Sequence, residues 1–131
     1  MIRTLSLIAM AFVALLSFQA PAQAEGEMKP FILASKSAGS IDAAVAATTA
    51  KLQAAGFEVA GTYAPYAGAT VIIVTSDALK AAAAKTEFGA YGVVQRVGVT
   101  DVNGEIQVAY TNPSYMAAAY RMDGKIGRAH V

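Results

Sequence analysis

Tyrosine offers the most abundant contact chemistry in this chain, which has six tyrosines and neither tryptophan nor cysteine. A tyrosine ring combines an apolar body with a polar tip, which suits a ligand cleft or an interface. Tyr63 directly precedes a predicted loop over residues 64–68, which contains Pro65, Tyr66 and Gly68, and loops often carry contact residues. Both tyrosines are therefore candidate ligand- or partner-binding residues, with packing of the loop as the alternative.

Arg96 is the second candidate, because it places a charge in an otherwise apolar predicted strand. The hairpin register described below sets it opposite Thr111 and near Asn112, where a guanidinium could bind a carboxylate or a phosphate. The alternative is a solvated cation on an exposed sheet face, or one paired with Glu58 or Asp101.

Asn112 and Tyr115 complete the predicted binding set. An enzyme that needs neither a metal nor a cysteine could use Arg96 with Tyr63 or Tyr115 as an acid, provided that these groups lie within hydrogen-bond reach. We keep this as the alternative to a binding function.

No pattern in the sequence predicts a catalytic residue, a metal site or a cofactor. The chain has no cysteine and one histidine, and its carboxylates are scattered without ligand spacing. No Ser-x-x-Lys motif supplies an activated nucleophile. The glycine-containing turn at residues 37–40 could bind an anion, but an ordinary helix cap at Ser40 explains it equally simply.

The first 24 residues read as a cleavable signal peptide. Arg3 precedes an apolar stretch over residues 5–18, and Pro21 and the small-residue triplet 22–24 follow it. The apolar stretch is shorter than the roughly 18 to 20 residues that cross a bilayer, which disfavours an uncleaved anchor. We expect cleavage after Ala24, a periplasmic or secreted location, and no stable membrane insertion of the mature chain.

The charge of the mature chain disfavours a nucleic-acid partner. Removal of Arg3 lowers the count of Lys and Arg from ten to nine, which equals the nine Asp and Glu. A nucleic-acid-binding protein would need a clustered basic surface. The partners that remain are a second copy of the chain, a small ligand or another envelope protein.

Residues 125–131 look foreign to the rest of the chain. The run 126–131 resembles the translation of a sequencing adapter, so we expect a non-native tail after a coding region cut near Asp123 or Gly124. A genuine short basic tail is the alternative.

Strand and helix patterns alternate along residues 25–124. Residues 31–36 predict a first strand, and Ser40 caps a helix whose inward stripe runs from Ile41 to Ala55 and which Gly56 ends. Alternation over 57–63, with Phe57 and Tyr63 on one buried face, predicts a second strand. Residues 70–75 predict an interior strand, followed by an alanine-rich helix that extends to Lys85.

A hairpin is predicted around Asn103-Gly104, because both turn positions favour positive φ. Strands over 91–101 and 105–111 then pair with Val102 opposite Glu105, which directs Val97 and Val108 to one core face. Asn112 caps a third helix with Pro113 in its first position. The element order β-α-β-β-α-β-β-α predicts one α+β domain over 25–124, a two-layer sandwich of a mainly antiparallel sheet with helices on one face.

Three segments carry a resemblance to a known family: residues 52–59 with 61–63, residues 71–74 before a short helix, and residues 108–113 leading into Tyr115 and Met116. Together they resemble an exported member of the domain of unknown function 302 family, over about residues 29–122. The resemblance implies a compact α+β fold that is commonly dimeric, with no established activity. Exported relatives continue beyond Arg121, which implies a truncated C-terminus here.

The sequence therefore favours a non-enzymatic binding or dimerisation module of the cell envelope. The candidate contact residues are Tyr63, Tyr66, Arg96, Asn112 and Tyr115.

Overall fold

The computed structural model describes residues 28–123, which form five strands, three α-helices and one 3-10 helix. The predicted signal peptide at 1–24 and the predicted non-native tail at 125–131 lie outside the described residues. The strands are β1 (Phe31–Ser37), β2 (Glu58–Tyr66), β3 (Ala69–Thr75), β4 (Gln95–Val102) and β5 (Glu105–Thr111). The helices are α1 (Ile41–Ala54), α2 (Asp77–Ala83), the 3-10 helix (Gly89–Gly92) and α3 (Pro113–Ala119).

All five strands join one antiparallel sheet in the order β1-β5-β4-β3-β2. The predicted α+β fold and its element order are confirmed. β1 and β2 are the two edges, and α1 connects them by crossing one face of the sheet. Three strands therefore lie between the two strands that α1 joins.

The turn at Asn103-Gly104 sets the register of β4 and β5. Asn103 has φ 55° and Gly104 has φ 87°, and a type I′ hairpin requires positive values at both positions. Val102 pairs with Glu105, as predicted from the two-residue turn. The rest of the β4–β5 pairing follows from that one contact, because side chains alternate strictly along a strand.

The main core lies between the sheet and α1. Leu52 of α1 packs against inward-facing residues of β3, β4 and β5, which are Ile72, Val74, Val97, Val99, Ile106 and Val108. Ser40 caps α1, since its hydroxyl accepts a hydrogen bond from the Ala43 amide at 3.3 Å. The turn before α1 thus serves as a helix cap.

A second, smaller core lies beyond one end of the sheet, where α2, the 3-10 helix and α3 meet. Leu79, Ala83 and Met122 are its buried members. Phe57 packs against both this cluster and the main core. We call the three elements the end cap, because they close the end of the sandwich at which β3 ends and β4 begins.

Two predicted strand assignments are wrong. Residues 91–94 do not belong to β4, because Gly89–Gly92 form the 3-10 helix and β4 begins at Gln95. A register irregularity in β2 lies between Val59 and Gly61, so Val59 pairs with Val74 while Gly61 pairs with Ile73. An extra residue in a strand shifts the alternation that follows, which moves Tyr63 from the predicted core face to the other face.

Candidate functional site

The side of the sheet opposite α1 carries three cross-strand rows of side chains, and we call it the open face. The upper row is Phe31, Thr111, Arg96, Ile73 and Gly61; the central row is Leu33, Ala109, Gly98, Val71 and Tyr63; the lower row is Lys36, Gln107, Thr100, Ala69 and Tyr66. Each row runs from β1 to β2 across all five strands.

Apolar side chains at the two edges of the open face are exposed to solvent, whereas Ala69 on β3 is buried and Val71 and Ile73 are half-buried. Leu33 and Tyr63, at the two ends of the central row, are 49% and 48% exposed. Phe31 and Tyr66 are exposed as well. A single exposed apolar residue is ordinary, whereas several on one face of a sheet are typical of an interaction surface.

The residues in the middle of the central row have very small side chains. Gly98 and Ala109 are paired neighbours there and contribute almost no side chain. A Cβ built on Gly98 would have the Ala109 carbonyl oxygen, at 3.9 Å, as its nearest neighbour, so nothing else crowds this point. The central row therefore has a shallow depression over β4 and β5, between Leu33 on β1 and Val71 on β3.

Ion pairs stand at opposite corners of the open face. Lys36 Nζ lies 2.9 Å from Glu105 Oε1 near the hairpin, and Lys80 Nζ lies 2.8 Å from Glu58 Oε2 near the end cap. The hydrogen bond from Lys80 lowers the pKa of Glu58, and the hydrogen bond from Lys36 lowers the pKa of Glu105. Because these groups are exposed, each pair adds little stability by itself.

Arg96 lies on the open face, as predicted, and its side chain is exposed. The hydroxyl of Thr111, on the neighbouring strand, forms two hydrogen bonds with the backbone of Arg96. The Arg96 amide donates to Thr111 Oγ1 at 3.0 Å, and that hydroxyl donates to the Arg96 carbonyl at 3.1 Å. Within residues 28–123 the guanidinium has no ion pair, since Glu58 binds Lys80 and Asp101 accepts from the Gly104 amide. Its charge is available to a partner.

Tyr63 and Tyr66 both belong to β2, and both side chains are exposed. The loop that we predicted over residues 64–68 is shorter, because β2 continues to Tyr66 and only Ala67-Gly68 turn. Arg96 and Tyr63 share the open face but lie two strands apart and in neighbouring rows, which separates their backbones by about 12 Å. In the described residues no hydrogen bond joins Arg96 to a tyrosine side chain.

Asn112 and Tyr115 lie at the start of α3, apart from the other three candidates along the chain. Asn112 Nδ2 donates to the Lys29 carbonyl at 2.8 Å, and its Oδ1 accepts from the Ser114 amide at 3.1 Å. Because both ends of the amide are used, Asn112 caps α3 and anchors the segment before β1. Tyr115 is 37% exposed.

Leu33 and Gln95 were not among the contact residues predicted from the sequence. Leu33 was part of a predicted strand, and only the pairing of β1 with β5 places it beside Ala109. Gln95 is buried, although alternation with Val97 was a signal that it would face the core.

No group of residues within 28–123 could hold a metal ion. None of the helices in that range is both long and apolar enough to cross a membrane. Comparison of the chain with protein-family models, with curated proteins and with solved structures finds no match.

Proposed function

We propose that this protein is a non-enzymatic association module of the cell envelope, and that its open face packs against a second copy of the chain. The observation that carries this proposal is the central row, in which Leu33 and Tyr63 are exposed at the two ends while Gly98 and Ala109 contribute almost no side chain in the middle. The resemblance to the domain of unknown function 302 family, whose members are commonly dimeric, agrees with it and remains a prediction.

The size of the open face suits a dimer. Five strands about 4.8 Å apart and about 20 Å long present about 500 Å² per protomer, before side-chain relief is added. Two such faces bury about 1,000 Å² in total, which reaches the lower bound for a specific protein interface. Sheets also pack face to face at about 10 Å, a spacing that side chains such as Leu33 and Val71 can fill.

The sheet edges are less suited to pairing than the open face. β2 contains Pro65 and two register irregularities, and β1 contains a register shift between Leu33 and Ser35 together with the charged Lys36. Prolines, bulges and charges on edge strands oppose the addition of another strand. Association through the open face adds no strand to either edge, so these features do not oppose it.

The charge of Arg96 favours one of two directions for the two-fold axis of a symmetric dimer. Arg96 stands on β4, the central strand, so a two-fold axis along that strand would set the two guanidiniums against each other. A two-fold axis perpendicular to the strands instead brings each Arg96 towards the hairpin end of the partner's sheet, which carries Glu105. Like charges facing each other at an interface cost several kcal/mol, so we place the axis across the strands.

The test of association compares two aspartate variants by sedimentation equilibrium. Leu33→Asp introduces a charge at one end of the central row of the proposed contact, and we expect dimerisation at least about tenfold weaker than in the wild type. Phe88→Asp is the matched control, because Phe88 is exposed to a similar degree at 57% but lies directly before the 3-10 helix of the end cap. A monomeric wild type, or equal loss in both variants, would contradict the proposal.

Export is the second part of the proposal. The apolar stretch at 5–18 and the small residues at 22–24 support cleavage after Ala24. N-terminal sequencing of protein from a periplasmic extract should begin at Glu25. Recovery of the intact chain from the cytoplasm alone would contradict this part and leave the association proposal untouched.

A further inference from the structure

The end cap packs mainly on itself. Within the described residues α1 lies across β2, β3 and β4, whereas α2 and α3 chiefly contact the 3-10 helix. The ring of Tyr120, at the end of α3, stacks on the ring of Tyr91 with the ring centroids 5.5 Å apart. Met122 packs so closely on Gly92 that a Cβ at this glycine would lie 2.5 Å from the Met122 Sδ. The end cap is therefore a unit with its own internal contacts.

No element of the end cap is long enough to be stable by itself. α2 and α3 have seven residues each, and the 3-10 helix has four. Isolated helices shorter than about 12–15 residues are marginal in water, so each element depends on the packing of the others. We therefore expect the three elements to fold and unfold together.

Two side-chain hydrogen bonds hold the end cap closed. The Asp123 amide, after α3, donates to Thr86 Oγ1 at 2.8 Å, in the loop between α2 and the 3-10 helix. Thr75 Oγ1 donates to the Val93 carbonyl at 2.7 Å, where the chain leaves β3 and returns to β4. The first of these bonds is exposed, so water competes for it and its net contribution is small.

Gln95 lies where the end cap meets the sheet. It is the first residue of β4, is 4% exposed, and lies on the core side with Val97. Neither its Nε2 nor its Oε1 has a hydrogen-bond partner within residues 28–123. A buried amide without a partner is unfavourable, and it regains its hydrogen bonds when water reaches it. The amide therefore makes opening of the end cap easier.

We propose that the end cap opens as one cooperative unit while the sheet and α1 stay folded, and that the Gln95 amide is hydrated in this open state. Opening uncovers one side of Phe57, which packs against both cores in the closed state. Lids and other moving segments of proteins are drawn from such regions of low local stability. The open face lies on the other side of the sheet, so this opening does not depend on dimerisation.

Native-state hydrogen exchange, followed for single amides by NMR, tests the opening. The probes are the amides of Ala84 and Met122, which donate to the Lys80 and Ala117 carbonyls at the ends of α2 and α3. We expect these two amides to have similar protection factors, at least about tenfold lower than those of the amides that pair β4 with β5. End-cap protection equal to that of the paired strands would overturn the proposal.

Thr86→Val and Ile106→Val distinguish opening of the end cap from unfolding of the whole protein. Thr86→Val removes the hydrogen bond to the Asp123 amide, so protection should fall about two- to tenfold, by the same factor in α2 and α3. Ile106→Val weakens the main core, so protection should fall about two- to tenfold in β4 and β5 but not in the end cap. An effect of Thr86→Val confined to α3, or a fall of end-cap protection in Ile106→Val, would show that the end cap does not open as one unit.

Gln95→Leu tests the role of the amide. Leucine has a similar volume and no amide to hydrate, so end-cap protection should rise at least about fivefold, the factor that corresponds to about 1 kcal/mol. Gln107→Leu is the matched control, because Gln107 lies on the open face, and it should leave end-cap protection unchanged. If Gln95→Leu raises protection only in the strands, or not at all, the amide is not hydrated in the open state and the proposal is wrong.

Discussion

Leu33 and Tyr63 stand on opposite edge strands of the sheet, at the two ends of one row that crosses all five strands. Both side chains are about half exposed, and the residues between them include Gly98 and Ala109, which leave the middle of the row low. This relationship joins residues that are 30 positions apart in the chain. It defines the surface on which the proposed association depends.

Gly98→Lys should separate association from folding. A Cβ at Gly98 meets nothing closer than 3.9 Å, so the sheet accommodates a side chain there, whereas a partner packed at about 10 Å does not. We expect a folded monomer with a free energy of unfolding within about 1 kcal/mol of that of the wild-type monomer. Sedimentation and urea unfolding measure the two properties.

The control for this variant is Ala46→Lys, on the exposed side of α1. It should fold and dimerise like the wild type. Dimerisation of Gly98→Lys with wild-type affinity would show that the centre of the open face is not in the contact.

A charge exchange tests the direction of the two-fold axis. Arg96→Glu alone should weaken dimerisation, because it sets two acidic groups near each other across the interface. Adding Glu105→Arg to the same chain should restore part of the loss. If the double variant dimerises no better than Arg96→Glu, the proposed axis is wrong, while the Leu33→Asp result still decides whether the open face is used.

Gln95→Leu should stabilise the protein, because Gln95 is buried and its Nε2 and Oε1 have no hydrogen-bond partner within residues 28–123. Removal of the unpaired amide eliminates a desolvation cost, so the free energy of unfolding should rise by about 1–3 kcal/mol in a urea titration. Gln107→Leu should not stabilise the protein, because Gln107 Nε2 already donates to Glu105 Oε1 at 3.0 Å. A loss of stability in Gln95→Leu would show that the amide has a partner that contributes to the fold.

Lys36→Met should raise the pKa of Glu105. The hydrogen bond from Lys36 is the main cause of the lowered pKa, and the hydrogen bond from Gln107 also lowers it. A carboxyl whose pKa is lower in the folded state than in the unfolded state stabilises the fold above its unfolded pKa, and this contribution disappears as the pH falls through the folded pKa.

Titration of the Glu105 carboxyl carbon by NMR measures this shift. The stabilities of the wild type and Lys36→Met should converge at the acid end of the titration. An unchanged pKa would mean that the ion pair between β1 and β5 does not persist in solution.

The sequence predicted the sheet well where local chemistry sets the register. Asn103-Gly104 determines the turn, and with it the facing of Val97 and Val108. The position of Arg96 on the open face follows from the same turn. The helix caps could also be predicted from local sequence, since the side chains of Ser40 and Asn112 both accept hydrogen bonds from the first turn of a helix.

Features that depend on distant contacts could not be predicted. The irregularity after Val59 arises from pairing with β3, so alternation alone assigned Tyr63 to the core. Leu33 became part of the surface only because β1 pairs with β5, about 76 positions further along the chain. The 3-10 helix of the end cap was missed because the apolar residues near Tyr91 resemble a strand, whereas tertiary packing favours a 3-10 helix there.

The most direct test of face-to-face association is an NMR experiment on a mixture of labelled and unlabelled protein, which detects only contacts between protomers. We expect contacts between protomers from the methyl groups of Leu33, Val71 and Ala109, and none from the exposed side of α1. Contacts between protomers confined to the edge strands or the end cap, or no such contacts at concentrations where the protein sediments as a dimer, would contradict the account.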